Sequence, residues 1–109
     1  MDFAFYRNFI TVAETGNLSA AAKRLGIVQP ALSAQMKAIE RNYGVQLFKM
    51  QRGKRHIELT EAGETFLQQA RQLCNTEDDI SLRMQAFGRR AAGTLRFSVS
   101  HVRTDYFLR

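Results

Sequence analysis

Apolar residues recur along this chain with helical spacing in three short stretches and one long one. In residues 2–15, Tyr6, Phe9, Ile10 and Ala13 fall three or four positions apart or adjacent, with Phe3 and Val12 flanking them. That is the pattern of one face of an α-helix. Gly16-Asn17 supplies a stop, because glycine accepts the left-handed conformation common at helix ends. A second, short helix is expected over 20–25, with Ser19 as its N-cap. Its Ala20-Ala21-Ala22 run forms helix readily and lets another helix approach closely. Gly26 ends it. A third helix is expected over 29–43, with Pro30 in the first turn, where a missing N–H is harmless. Leu32, Met36, Ile39 and Tyr43 give it a stripe to bury before Gly44. Two short helices around a tight glycine turn form a helix-turn-helix. The first helix is the platform that covers their apolar faces.

The period then changes. Val45-Gln46-Leu47-Phe48-Lys49 and His56-Ile57-Glu58-Leu59 alternate around Gln51-Arg52-Gly53-Lys54-Arg55, predicting two short strands joined by a basic turn. A hairpin in that place is a wing. Thr60 caps a long helix over 61–88. One seven-residue ladder along it is Phe66, Leu73, Ile80 and Phe87; the other is Ala70, Glu77 and Met84. Together they have the 4-3 spacing of a coiled-coil seam. Such a helix is roughly 42 Å long, more than a domain of about 60 residues covers, so part of the stripe calls for a second copy. Phe66, Ala70, Leu73, Ile80, Met84 and Phe87 are the dimerisation candidates. Glu77 is costly in that seam unless paired, and Arg71 or Arg83 of an antiparallel copy are its candidate partners.

The expected fold is thus mainly α: a winged helix-turn-helix of three helices and a two-stranded wing over 1–60, then a long dimerisation helix over 61–88. Residues 89–109 read as a hinge and the start of a further domain, because 94–100 alternates like a strand with no partner strand in view.

Charge sharpens the picture. Lys and Arg number 16 against 10 Asp and Glu, a net +6. Most of the excess lies in residues 1–60, which hold nine basic and four acidic residues. A basic surface favours polyanions, nucleic acid foremost. Other chemistry is sparse. Cys74 is the single cysteine, and His56 and His101 lie far from it in sequence, so neither a disulfide nor a zinc spacing is present. A small buried hydrophobe is the reading for Cys74, while His56 fits either packing or a phosphate. No apolar run approaches the ~18 residues of a membrane span, and Met1-Asp2-Phe3 does not open a secretory signal. A cytoplasmic protein is expected, with no metal or cofactor. No nucleophile–base set, carboxylate pair or phosphate-cradling glycine loop suggests an enzyme.

With Leu32, Met36 and Ile39 buried, Gln29, Pro30, Ser33, Ala34 and Lys37 face outward. A helix fits the major groove of B-DNA, and its N-terminal residues reach base edges. Gln29 suits adenine N6 and N7, and Ser33 can donate or accept. Pro30, Ala31 and Ala34 can lie against thymine methyls, while Lys37 and Arg41 suit phosphates. The first N–H groups after Ser19 and Val28 can also meet phosphate oxygens. Arg52, Lys54 and Arg55, with Lys49, would place the wing on the backbone or in the minor groove. The plainer readings are a solvated helix face and a charged turn. The capped helix, turn and wing in sequence weigh against them. A winged-helix module that uses its basic wing on an acidic protein partner is the alternative function.

The stretch Ala20-Ala21-Ala22-Lys23-Arg24-Leu25, then Gln29-Pro30-Ala31-Leu32-Ser33-Ala34-Gln35-Met36, Ile39-Glu40, Gly44-Val45-Gln46-Leu47-Phe48 and Leu59-Thr60-Glu61-Ala62-Gly63 strongly resembles the LysR-type transcription regulators. Gly93-Thr94-Leu95-Arg96-Phe97 resembles that family's entry into its effector-binding domain. The resemblance implies homodimers paired through antiparallel linker helices, and tetramers in full-length proteins. It also implies double-stranded DNA carrying an imperfect inverted repeat. A small-molecule effector would bind only a C-terminal domain related to periplasmic binding proteins. The base- and phosphate-contacting positions map onto Gln29, Pro30, Ala31, Ser33, Ala34 and Lys37, and the wing onto Arg52 to Arg55. Three positions depart from the pattern. Val28 stands where a capping Ser is usual, Ala34 where a longer polar or basic side chain is common, and Met50 where Arg often follows Leu-Phe. If Lys37 meets a phosphate, Lys37→Ala weakens binding to all duplexes alike in a titration; an altered sequence preference would refute that role.

Overall fold

Asp2 has an extended backbone, and its carboxylate accepts the Ala4 N–H at 3.4 Å, opening α1 (Phe3–Thr15). The computed structural model describes residues 1–49 and 56–92, with side chains through residue 90. Three further helices follow: α2 (Leu18–Leu25), α3 (Gln29–Tyr43) and α4 (Glu61–Ala92). The chain divides into two compact units, Met1–Cys74 and Asn75–Arg109, so the boundary falls within α4.

The first unit is built around Phe9, Val12, Ala21, Ala22, Leu32, Met36, Ile39 and Leu47. Each large apolar side chain buried here contributes about 1.5–3 kcal/mol. The exposed ion pairs of Glu14 with Arg24 (3.9 Å) and Arg71 (3.4 Å) contribute at most about 1 kcal/mol each. Packing therefore sets how the helices meet.

In α1 the buried line is rotated from the expected one. Phe9 and Val12 are fully enclosed, whereas Tyr6, Ile10 and Ala13 are half-buried. Both lines satisfy helical spacing. Phe9, common to both, meets the Phe48 and Phe66 rings at 5.2 and 4.7 Å, and Phe66 also stacks on Tyr6 at 5.8 Å. In α3, Leu32, Met36 and Ile39 are buried as expected, but Tyr43 is 47% exposed. Its hydroxyl lies 2.6 Å from that of Tyr6. That hydrogen bond, helped by partial burial, holds the Tyr6 phenol above its ordinary pKa.

The N-cap of α2 is Asn17, not Ser19. Helix α2 begins at Leu18, and Asn17 Oδ1 accepts the Ala20 N–H at 2.8 Å. An N-cap side chain bonds two or three residues ahead, so Asn17 commands that N–H, and the Ser19 hydroxyl turns elsewhere. The turn into α3 needs Gly26, at φ 72°, a conformation with little steric cost for glycine alone. The Ile27 N–H then reaches back to the Ala22 carbonyl at 3.1 Å.

The wing is reduced at its base. Among the described residues, its two arms share one antiparallel bridge, Phe48 with Leu59, and the Lys49 N–H donates to the Glu58 carbonyl at 2.8 Å. The outer parts of the expected strands have other partners. Val45 N–H donates to the Glu40 carbonyl, and Ile57 N–H to the Gly16 carbonyl. The Val45 donor is thereby unavailable to a ladder, while the Ile57 N–H, two residues from the bridge, points away from the Phe48 arm.

Helix α4 starts where expected. Thr60 Oγ1 accepts the Gly63 N–H at 3.0 Å and donates to the Gln46 carbonyl at 2.6 Å. The helix runs past the expected end, through Gly88 to Ala92, so Arg89 and Arg90 are helical rather than a hinge. An interior glycine costs about 1 kcal/mol relative to alanine but does not force a stop. Within the second unit, Arg83 pairs with Asp79 at 2.8 Å, and the Ser81 hydroxyl donates to the Glu77 carbonyl at 3.1 Å.

Gly63 has a different task from Gly26. A Cβ there would overlap the Leu47 backbone carbonyl and press on Leu59 Cβ. Gly63→Ala would gain up to about 1 kcal/mol of helix propensity yet lower the thermal midpoint, because backbone must move to admit the methyl group. A raised midpoint in thermal unfolding would show that this close approach is not required.

Candidate nucleic-acid interface

The first turn of α3 stands clear of the core. Gln29, Pro30, Ala31, Ala34 and Lys37 are exposed and Ser33 is half-buried, opposite the enclosed Leu32, Met36 and Ile39. Helix α2 lies behind, seated by the buried Ala21 and Ala22. The Ser19 hydroxyl donates to Gln29 Oε1 at 2.9 Å, so two predicted site residues from different helices meet. Asn8 Nδ2 donates to Gln35 Oε1 at 2.6 Å, tying α1 to the middle of α3.

The net charge of the two helices favours an anion. Helices α2 and α3 together carry Lys23, Arg24, Lys37 and Arg41 against one carboxylate, Glu40. That carboxylate is turned to the backbone: Glu40 Oε2 accepts the N–H groups of Leu47 (2.8 Å) and Phe48 (3.2 Å). Glu40 thus joins α3 to the base of the wing. Helical spacing does not single it out from the other polar residues of α3. The signal it does carry in the sequence is that of a lone carboxylate at the far end of a basic helix.

The wing's predicted contacts, Arg52, Lys54 and Arg55, lie outside the described residues, as does Met50. Lys49, at the wing base, is exposed and 3.8 Å from Glu58. His56 is exposed too, with its ring against Gly16.

The dimerisation candidates divide. Phe66 and Ala70 face the core of their own unit: Phe66 stacks on Tyr6 and meets Phe9 edge-on, and Ala70 is buried. Leu73, at the end of that unit, is exposed. In the second unit Ile80, Met84 and Phe87 are exposed, and the Arg90 guanidinium lies 5.1 Å from the Phe87 ring. Arg71 and Arg83, the expected partners of Glu77, pair within their own chain with Glu14 and Asp79. Cys74 is buried. Among the described residues, no group of three or more His, Cys, Asp or Glu could hold a metal ion, and no helix is long and apolar enough to cross a membrane.

Residues 4–64 match the family described as bacterial regulatory helix-turn-helix protein, lysR family. The chain belongs to the LysR family. It is 46% identical over 96 residues to the HTH-type transcriptional regulator ClcR of Pseudomonas putida, covering 88% of this chain and 32% of ClcR. It is 41% identical over 107 residues to TcbR of Pseudomonas sp. strain P51, covering 98% of this chain and 35% of TcbR. The chain thus spans about a third of the length of these curated relatives. Among solved structures, the DNA-binding domain of CbnR in complex with DNA has TM-score 0.75 and 43% identity, covering 82% of this chain and all of that one. The BenM DNA-binding domain on catB site 1 DNA has TM-score 0.74 and 32% identity, covering 80% and 96%. The fold is therefore the LysR-type winged-helix DNA-binding domain with its linker helix, and the matched relatives are transcriptional regulators rather than enzymes.

Within this LysR-type domain, Val28 is the departure with a visible consequence. It occupies the N-cap of α3 without a side-chain hydrogen bond and is 68% exposed. Val28→Ser would add the missing acceptor and forfeit little burial. We expect a gain of about 1 kcal/mol in urea unfolding; no gain would show that backbone bonds already satisfy the first turn.

Proposed function

We propose that this chain is the DNA-reading part of a bacterial transcription regulator and binds double-stranded DNA in a sequence-specific way. The observation that carries the proposal is the exposed first turn of α3, backed by α2 and free of acidic residues. Gln29, Pro30, Ala31, Ser33 and Ala34 face base edges in the major groove. Lys37 meets a phosphate. Arg52, Lys54 and Arg55 carry the wing onto the backbone or into the minor groove.

The reading unit is residues 1–60, the pairing helix 61–88, and 89–109 lead into an effector-binding domain. Two copies pair through Leu73, Ile80, Met84 and Phe87. Phe66 and Ala70 instead pack the start of the pairing helix onto the reading unit, so the seam is shorter than the ladder. A dimer with two-fold symmetry fits an imperfect inverted repeat, and a full-length protein assembles further into a tetramer. A small-molecule effector binds only that further, C-terminal domain. The work is cytoplasmic, where bacterial DNA is.

The test is selection from a pool of random duplexes at two salt concentrations, with sequencing of the bound fraction. We expect an enriched inverted repeat whose affinity falls with salt. Salt-sensitive binding without enrichment would reduce the chain to a non-specific DNA binder. Absence of binding would turn attention to a protein partner. Ile80→Asp, at a position 54% exposed, should give monomers in sedimentation and weaken binding to the full repeat more than to one half-site. An unchanged dimer would refute the seam.

A further inference from the structure

We propose that Glu40 is a positioning residue for DNA binding: its carboxylate sets the angle at which the wing leaves α3, so that helix and wing meet one duplex together. The inference rests on the DNA-binding reading above and adds a residue that itself touches no DNA.

A carboxylate on a helix proposed to meet phosphate opposes binding unless it is engaged elsewhere. Glu40 is the one such group in α2 and α3, and it is half-buried. Its Oε2 accepts the N–H groups of Leu47 at 2.8 Å and Phe48 at 3.2 Å. Its backbone carbonyl accepts those of Gly44 at 2.8 Å and Val45 at 3.2 Å. The carbonyl closes the helix, and the carboxylate catches the departing chain again a few residues later.

That second catch bends the chain. In an extended strand successive N–H groups point to opposite edges. The Leu47 carbonyl accepts the Thr60 N–H at 3.0 Å, and the Lys49 N–H donates to the Glu58 carbonyl at 2.8 Å. A regular strand would turn the Leu47 N–H toward this paired edge and the Phe48 N–H away from it. Instead both converge on one carboxylate oxygen. The backbone is therefore bent at Leu47–Phe48, and Glu40 supplies the acceptor that the bend requires. The Leu47 side chain in the core and the Phe48 ring 5.2 Å from Phe9 fix how deep the arm sits. The bend fixes its heading. Lys49 follows at once, and Arg52, Lys54 and Arg55 come after it in the sequence.

The experiment is a double-mutant cycle, read by fluorescence anisotropy on the duplex that the selection enriches. It runs across a salt series, with thermal midpoints recorded alongside. Glu40→Ala, Glu40→Asp and Glu40→Gln are measured with the wing intact and with Arg52→Ala, Lys54→Ala and Arg55→Ala combined. With the wing intact, Glu40→Ala should weaken binding about tenfold and flatten its dependence on salt, because phosphate contacts are lost. Glu40→Asp, which keeps the charge but falls one methylene short of the arm, should do the same. Glu40→Gln, which keeps an acceptor oxygen, should bind close to the unaltered chain. In the wing-substituted background all three should change affinity by less than about twofold. Tighter or unchanged binding by Glu40→Ala with the wing intact would overturn the inference, since the carboxylate would then serve no contact with DNA. Equal losses in the two backgrounds would overturn it too, because the loss would then be a general loosening of the domain. Should Glu40→Ala fail to melt cooperatively, the Asp and Gln variants carry the cycle. Both overturning results leave the DNA-binding reading standing. Failure of the unaltered chain to bind any duplex overturns that reading and this inference with it.

Discussion

Burial of Leu32, Met36 and Ile39 decides the rotation of α3, and the face proposed to meet DNA follows from it. A helix in a small domain has only one side to give to the core. Once those three side chains are enclosed, Gln29, Ala34 and Lys37 have nowhere to face but outward. The same packing seats α2 through Ala21 and Ala22, brings Ser19 to Gln29, and aligns Glu40 with the start of the wing.

Glu40 shows how a basic domain accommodates a carboxylate on its reading helix. Exposed on the face proposed to meet DNA, it would repel phosphate. Bonded to the Leu47 and Phe48 N–H groups, it satisfies backbone donors and couples the wing to the helix it flanks. Thr60 closes the other arm through the Gln46 carbonyl, and Gly63 lets α4 come against Leu47. Helix, wing base and linker helix thus meet around one short segment, Gln46–Phe48. Few of these contacts involve a charged pair, so salt should act mainly on DNA binding and little on the fold.

The linker helix serves two environments along its length. Its first turns complete the domain core through Phe66 and Ala70, with Cys74 also buried. Its later turns expose Ile80, Met84 and Phe87 at the spacing that continues the same ladder. A single periodic stripe thus carries residues of intramolecular and, on the proposed reading, intermolecular use.

Much of this was legible in the amino-acid sequence. Helical period, glycine stops and Pro30 marked α1 and α3 nearly to the residue, and the buried stripe of α3 exposed its candidate reading residues by elimination. Local chemistry and periodicity are properties of neighbours in the chain, so a sequence displays them. Tertiary structure decided what depends on residues distant in the chain. Packing enclosed Phe9 together with Val12 and left Tyr6 and Ile10, from the same expected stripe, half-buried. Glu40 claimed N–H groups of Val45 and Leu47 that alternation alone would have given to a strand, and Gly63 was required by the Leu47 carbonyl rather than by any turn. Ser19, a good cap by local rules, was freed by Asn17 and met Gln29 only because two helices pack at a fixed angle. Spacing names the faces of an element; which atoms meet across those faces is settled only when the elements pack.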